Sequence, residues 1–170
     1  IGSTGDQLLL PAGWVYGATT QAMTSLDTAL QPVDIGHERK SAGIAIDWRL
    51  SKAFAAFANF RREDKEGTGY AGVGNFTTAL QIPEPLDSTI DSYELGVQWN
   101  GKSAFARLSY FVQEYDDELN GLTWDNPYVP FNGATTGRMA TAPDNEMEQI
   151  LLSAGAHFAY DTSIGFNAIF

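Results

Sequence analysis

The feature that most limits what this chain can fold into is a period-two alternation of apolar and polar residues, carried by three pairs of stretches. In each pair the stretches are separated by only two or three residues. Ile44, Ile46, Trp48 and Leu50 alternate with Ala45, Asp47 and Arg49; after Ser51-Lys52-Ala53, Phe54, Ala56, Ala58 and Phe60 resume the pattern. Successive side chains of a strand point to opposite faces, so this is a strand, a tight turn and a strand with one apolar face. Tyr93, Leu95, Val97 and Trp99 lead into Asn100-Gly101, the dipeptide that suits a two-residue hairpin turn. Ala104, Ala106, Leu108, Tyr110 and Val112 follow, with Trp99 expected opposite Lys102 and Val97 opposite Ala104. Ile150, Leu152, Ala154, Ala156, Phe158 and Tyr160 form the third stretch, with a turn expected at Asp161-Thr162-Ser163, then Ile164, Phe166, Ala168 and Phe170.

This predicts hairpins over about 33–63, 90–115 and 147–170, preceded by a loop or arm over 1–32. The stretches 64–89 and 116–146 are rich in Gly, Pro, Asp, Asn and Thr and are expected as long loops. Short turns at one end and long loops at the other are the plan of an antiparallel transmembrane β-barrel. Strands of about ten residues suit a tilted crossing of the hydrocarbon layer. Trp48, Trp99 and Tyr160 near the short turns would supply an aromatic ring at one interface. Six strands are too few to close such a barrel, and an open sheet would leave unpaired edges in lipid. The chain, which starts at Ile1 and stops within an alternating pattern, is therefore expected to be a segment of a larger barrel. A soluble β-sandwich binding module also alternates, but connections of about 25 to 30 residues would be long for one.

Other classes are limited by composition. Ten basic and 21 acidic residues give a net charge of −11, which argues against a nucleic-acid partner. Without cysteine there is no thiolate metal site and no Cys-x-x-Cys-His haem attachment within this chain. No run of apolar residues approaches the roughly 18 of a transmembrane helix.

The alternation also assigns faces. Ile44, Ile46, Trp48, Leu95, Val97, Trp99, Leu108, Leu152 and Phe166 are expected to face lipid. Asp47, Arg49, Glu94, Arg107, Gln113 and His157 are expected to face the lumen or a partner within it. Among them, Gly43, Ala45, Gly96, Ser109, Ser153 and Gly155 would either give the lining room where a guest approaches or merely relieve crowding in a twisted sheet. His157 is read as an inward polar residue rather than a haem ligand. Asp116, Asp117 and Glu118, with Asn120, offer the hard oxygens that calcium takes, but lack the EF-hand spacing and read first as a solvated loop. Gly67, Gly69, Gly72 and Gly74 read as a flexible loop rather than a phosphate cradle. No catalytic constellation can be placed on one surface, so an enzyme on a barrel is the remotest alternative.

Three loop motifs add a resemblance. Ile82-Pro83-Glu84-Pro85-Leu86-Asp87, Gly121-Leu122-Thr123-Trp124-Asp125-Asn126-Pro127 and Gly137-Arg138-Met139-Ala140-Thr141-Ala142-Pro143-Asp144-Asn145 occur in this order around the hairpins. Over about 33–170 the chain resembles the MtrB/PioB family of decahaem-associated outer-membrane β-barrel proteins. The resemblance implies a large barrel that does no redox chemistry itself and sheathes a periplasmic multihaem c-type cytochrome, with an outer-surface cytochrome as a further partner. Any haem is then expected on the partner and none on this chain. A general porin or solute channel is the alternative on the same architecture.

Overall fold

The computed structural model describes residues 2–4, 7–75, 78–131 and 133–170. Ten strands follow in order: β1 Gly2–Thr4, β2 Gln7–Leu9, β3 Gly36–Arg49, β4 Phe54–Asn75, β5 Thr78–Asn100, β6 Ala104–Asp117, β7 Leu122–Asp125, β8 Thr136–Met139, β9 Asn145–His157 and β10 Ser163–Ile169. A 3-10 turn, Thr20–Ala22, and an α-helical turn, Leu26–Ala29, lie between β2 and β3. One sheet has six strands in the order β10-β9-β6-β5-β4-β3, and a second has four in the order β1-β2-β7-β8. The fold is thus all-β and largely antiparallel, as the alternation requires, and the six-stranded sheet has the open-ended strand order expected of a barrel segment.

The residues form two compact units, with β3 to β6 contributing to both. The first unit comprises Lys40–Asp64, Thr89–Asp116 and Asp144–Phe170. Here the three short connections fall near the expected places, with two adjustments. At 51–53 the Leu50 amide donates to the Phe54 carbonyl at 3.0 Å, which sets Leu50 against Phe54 as the spacing requires. At the second hairpin Asn100 stays in β5, and the Gly101 amide donates to the Ala104 carbonyl at 2.8 Å. The reversal therefore runs through Lys102 and Ser103 rather than Asn100-Gly101. Neither Asn100 nor Gly101 takes the positive φ that the expected turn needed. Because the slip is by an even number of residues, the apolar set keeps its face. At the third, Ser163 already pairs with His157, and the turn is carried by Tyr160 (φ 65°) and Asp161 (φ 54°). Tyr160 is thus a turn residue, 98% exposed, and not part of a strand.

One face of this unit is continuously apolar. Across β6 and β9, Tyr110 opposes Ile150, Leu108 opposes Leu152 and Ala106 opposes Ala154. Across β9 and β10, Ala154 opposes Phe166 and Ala156 opposes Ile164. The Phe60 and Tyr93 rings meet at 5.1 Å between β4 and β5. One step further along these strands the same face turns charged. Arg62 bonds Asp64 at 3.2 Å and Asp91 at 3.4 Å, and Glu114 opposes Glu146.

The second unit comprises Ile1–Arg39, Lys65–Ser88 and Asp117–Pro143. It corrects the expectation of two irregular loops. Residues 64–89 are mostly strand, the outer parts of β4 and β5, and 116–146 contains β7 and β8. Gly67, Gly69, Gly72 and Gly74 lie within β4 rather than in a flexible loop. The prolines are compatible with a strand because of which edge they occupy. The Asp87 carbonyl accepts the Glu118 amide at 3.0 Å, where β6 has just ended. Alternate residues turn their backbone groups to the same edge. Pro83 and Pro85 therefore lack their N–H groups on the edge that β6 has left, where no ladder bond is lost.

The Leu-Thr-Trp-Asp-Asn-Pro motif holds this unit together. Leu122 and Trp124 are buried with Leu8, Val73 and Ile82 in one apolar cluster, against which Leu80 and Met139 pack. Leu8 is brought there by parallel pairing of β2 with β7, Leu8 against Trp124. The Asp125 carboxylate accepts the Leu10 amide at 3.0 Å, and the Pro127 carbonyl accepts the Trp14 indole N–H at 2.9 Å. Asn126 donates to the Ala134 carbonyl at 2.9 Å and accepts the Tyr128 amide at 3.1 Å. Residues 7–14, within the stretch expected as a loop or arm, are thereby tied to β7. Gly137 is required beneath the Trp124 ring, since a Cβ there would come within 2.3 Å of it.

Trp124→Ala should cost about 3–5 kcal/mol, the range for emptying a buried aromatic site. It should be read as faster proteolysis within residues 7–30 of the membrane-embedded protein. The Trp124 indole N–H is buried without an acceptor. Trp124→Phe, which removes that donor and keeps a ring, should cost much less.

Candidate functional site

The face opposite the apolar one carries the polar residues, and the structure links several of them into a network. Glu94 on β5 accepts from Arg107 Nη2 on β6 at 2.8 Å and from Asn59 Nδ2 on β4 at 3.1 Å. Ser109, only 3% exposed, adds a side-chain hydrogen bond to the same carboxylate. The Arg107 guanidinium lies over the Phe57 ring, 4.0 Å from its centroid. Further along, Gln113 Nε2 donates to Ser92 Oγ at 3.1 Å. These contacts follow from the strand period. Odd residues of β4, even residues of β5 and odd residues of β6 share this face, so a carboxylate at 94 is reached from both neighbouring strands. A half-buried carboxylate with three donors and a stacked guanidinium is held in one arrangement. It is a fixed, locally neutral feature of the wall.

The remaining candidates fall around this network. Asp47 and Arg49 are exposed on β3, the outermost strand of the sheet on that side. Ser153 opposes Arg107 across β6 and β9, which places His157, four residues on, at the same parity. His157 is exposed near the short connections, and its amide donates to the Ser103 carbonyl at 2.7 Å.

The expected lining of small residues needs correction at two positions. Gly96 and Gly155 are not open space for a guest. A Cβ on Gly96 would sit 2.2 Å from the Phe57 ring, and one on Gly155 would sit 2.5 Å from the Phe105 ring. Each glycine is covered by an aromatic ring from a neighbouring strand, a way of restoring packing to a strand glycine. Phe57 and Asn59 had not been singled out as site residues. Their parity relative to Glu94 was the available signal, but it becomes informative only once β4 is paired with β5.

The acidic cluster is not assembled into a cation site. Asp116 and Asp117 are successive strand residues, so their side chains take opposite faces. Asp117 Oδ1 accepts the Leu119 amide at 3.0 Å, ending the strand in a local turn. Among the described residues, no group of three or more Asp, Glu or His could hold a metal ion.

Ile44, Ile46, Trp48, Leu95, Val97, Trp99, Leu108 and Phe166 are all exposed on the apolar face, and Leu152 lies among them. Exposure is 68% for Trp48 and 65% for Leu95, values that bulk water does not favour for a contiguous patch.

Comparison with known proteins agrees with this architecture. The family described as outer membrane beta-barrel porin, MtrB/PioB, matches residues 1–170. The outer membrane protein MtrB of Shewanella baltica (strain OS185) is 30% identical over 148 residues, 86% of this chain and 21% of its own length. The chain therefore spans about a fifth of the length of that relative.

Gly96→Ala should force the Phe57 ring from under Arg107 and cost about 1–3 kcal/mol, as overpacking does. Phe57→Ala in the same chain should recover part of that loss. A double-mutant cycle on urea midpoints of the detergent-folded protein measures the coupling.

Proposed function

Because the chain belongs to the MtrB/PioB family of outer-membrane β-barrel porins, we propose that it is a stretch of barrel wall that sheathes a multihaem c-type cytochrome and so lets electrons cross the outer membrane. The observation that carries this reading is the division of the six-stranded sheet into two unlike faces. One is exposed and apolar; the other holds the Glu94, Arg107, Asn59 and Gln113 network.

The apolar face has the height that a bilayer needs. On β6 it runs from Ala104 to Val112, with Glu114 next on the same face. Nine residues at about 3.4 Å each cover roughly 30 Å along the strand, or about 23 Å at a tilt near 40°, close to the apolar band of outer-membrane barrels. Aromatic rings sit at both ends of the band, Trp48 and Trp99 beside the short turns and Phe60, Tyr93 and Tyr110 beneath the charged row. Such rings mark the two interfaces of a membrane. Residues of β4 and β5 past Arg62 and Asp91 then belong outside the hydrocarbon, where charge and proline are tolerated.

The polar face suits a protein guest. Charged hopping sites are costly in lipid, and a wall of polar side chains replaces lipid around them. The Glu94–Arg107 pair keeps the wall polar without leaving an uncompensated charge. Haem is supplied by the guest; this chain's residues provide the insulation and the contact surface.

The direct test is a visible absorption spectrum of the complex purified from the native outer membrane in detergent. A c-type haem spectrum co-eluting with this chain at fixed stoichiometry is the expected result. A colourless, ion-conducting barrel would replace this reading with that of a solute channel. The two faces are tested separately. Val97→Arg, on the apolar face near mid-span, should cost about 2–4 kcal/mol and sharply reduce assembled barrel. Gln98→Arg, on the opposite face, should leave assembly near its starting level, as read by heat-modifiable electrophoretic mobility.

A further inference from the structure

We propose that Arg107, Ser153 and Asn167 form a docking point for an acidic side chain, Asp or Glu, of the protein held inside the barrel; this rests on the sheathing reading above. The three residues form one row across β6, β9 and β10, since Arg107 opposes Ser153 and Ser153 opposes Asn167. They border a recess of about 340 Å³ on the polar face, which Glu94, Ser109, Leu151 and Ile169 also line. Leu151 opposes Ile169, and this pair gives the recess an apolar side.

The chemistry of the row selects a carboxylate. The Arg107 guanidinium is fixed by its bond to Glu94 and by the Phe57 ring beneath it, yet uses only one of its five N–H donors there. It remains 41% exposed at the side chain. A stacked guanidinium with free donors is already shaped for a second carboxylate. Glu94 takes one of those donors and is itself held in place by Asn59 and Ser109, which leaves the other guanidinium N–H groups to a second acceptor. The Ser153 hydroxyl and Asn167 amide are further donors along the row. The Leu151–Ile169 pair suits the aliphatic stem that carries such a carboxylate. The Glu94–Arg107 pair is neutral overall, so the selection rests on the unused guanidinium donors rather than on net charge, and a purely apolar group would leave those donors unpaired.

The test uses the complete complex purified from membranes, with c-type haem absorbance per barrel as the measure of bound guest. Arg107→Gln should lower retained haem at least several-fold after a high-salt wash, and Arg107→Lys should restore part of it. Ser153→Ala combined with Asn167→Ala leaves the Glu94–Arg107 pair intact and should weaken retention less, without altering barrel assembly. In the Arg107→Lys protein, a zero-length carbodiimide should join the new amine to an Asp or Glu of the haem-bearing chain, located by mass spectrometry. Retention unchanged in Arg107→Gln and in the double variant, or a crosslink to Glu94 alone, would overturn the docking point while leaving the sheathing reading intact. Absence of c-type haem from the unaltered complex would overturn both.

Discussion

The backbone hydrogen bond is the interaction on which the rest of this structure depends. A strand can enter hydrocarbon only if its amides and carbonyls are paired with neighbouring strands, because lipid offers no substitute partner. That condition fixes the β-sheet, and the sheet fixes the two-residue period of the side chains. Everything else is a consequence of the period. One face can be wholly apolar while the other is polar, although each strand by itself is too mixed in composition to register as a membrane segment. The outermost strands β3 and β10 still have one unpaired edge each within the sheet. In a closed barrel those edges pair with further strands.

The same period explains why the polar face can be organised without destabilising the wall. Glu94 is reached by Asn59 from one side and Arg107 from the other because they share its face. Gly96 leaves room for the Phe57 ring, and that ring supports the guanidinium. A glycine in mid-strand is weakening when nothing covers it. Here it creates the space that lets an aromatic residue lie flat against the sheet and fix a charged group above it. The second unit uses the same device in a different setting, with Trp124 lying over Gly137. There the ring joins Leu8 and Leu122 in an apolar cluster that ties the N-terminal residues to β7.

Much of the first unit was legible in the sequence, because alternation is a local signal. The apolar set of β5 and β6 could be read without knowing the register. Register itself was less accessible. Asn100-Gly101 has the composition of a turn, yet the chain reverses two residues later, and only the pairing of Gly101 with Ala104 shows it. The outer parts of β4 and β5 were misread as loop for a related reason. Their glycines and prolines are ordinary turn signals. Pro83 and Pro85 are nonetheless compatible with a strand that has lost its neighbour on one edge, and edge occupancy is not written in the sequence. The Phe57–Arg107 contact and the Arg107–Ser153–Asn167 row join residues on different strands, so no motif could announce them.

The six-stranded sheet is a membrane wall with an apolar face toward lipid and a polar face away from it. The most direct measurement is a cysteine scan along 92–99 in the outer-membrane-embedded protein, since these positions lie in a stretch with no native cysteine. Each site would carry a fluorophore tested against a lipid-borne and a water-borne quencher. The account predicts a two-residue alternation, with 93, 95, 97 and 99 quenched from the lipid and 92, 94 and 98 shielded from it; Gly96, packed under the Phe57 ring, is left unlabelled. Quenching from lipid without alternation, or strongest at 94 and 98, would contradict it.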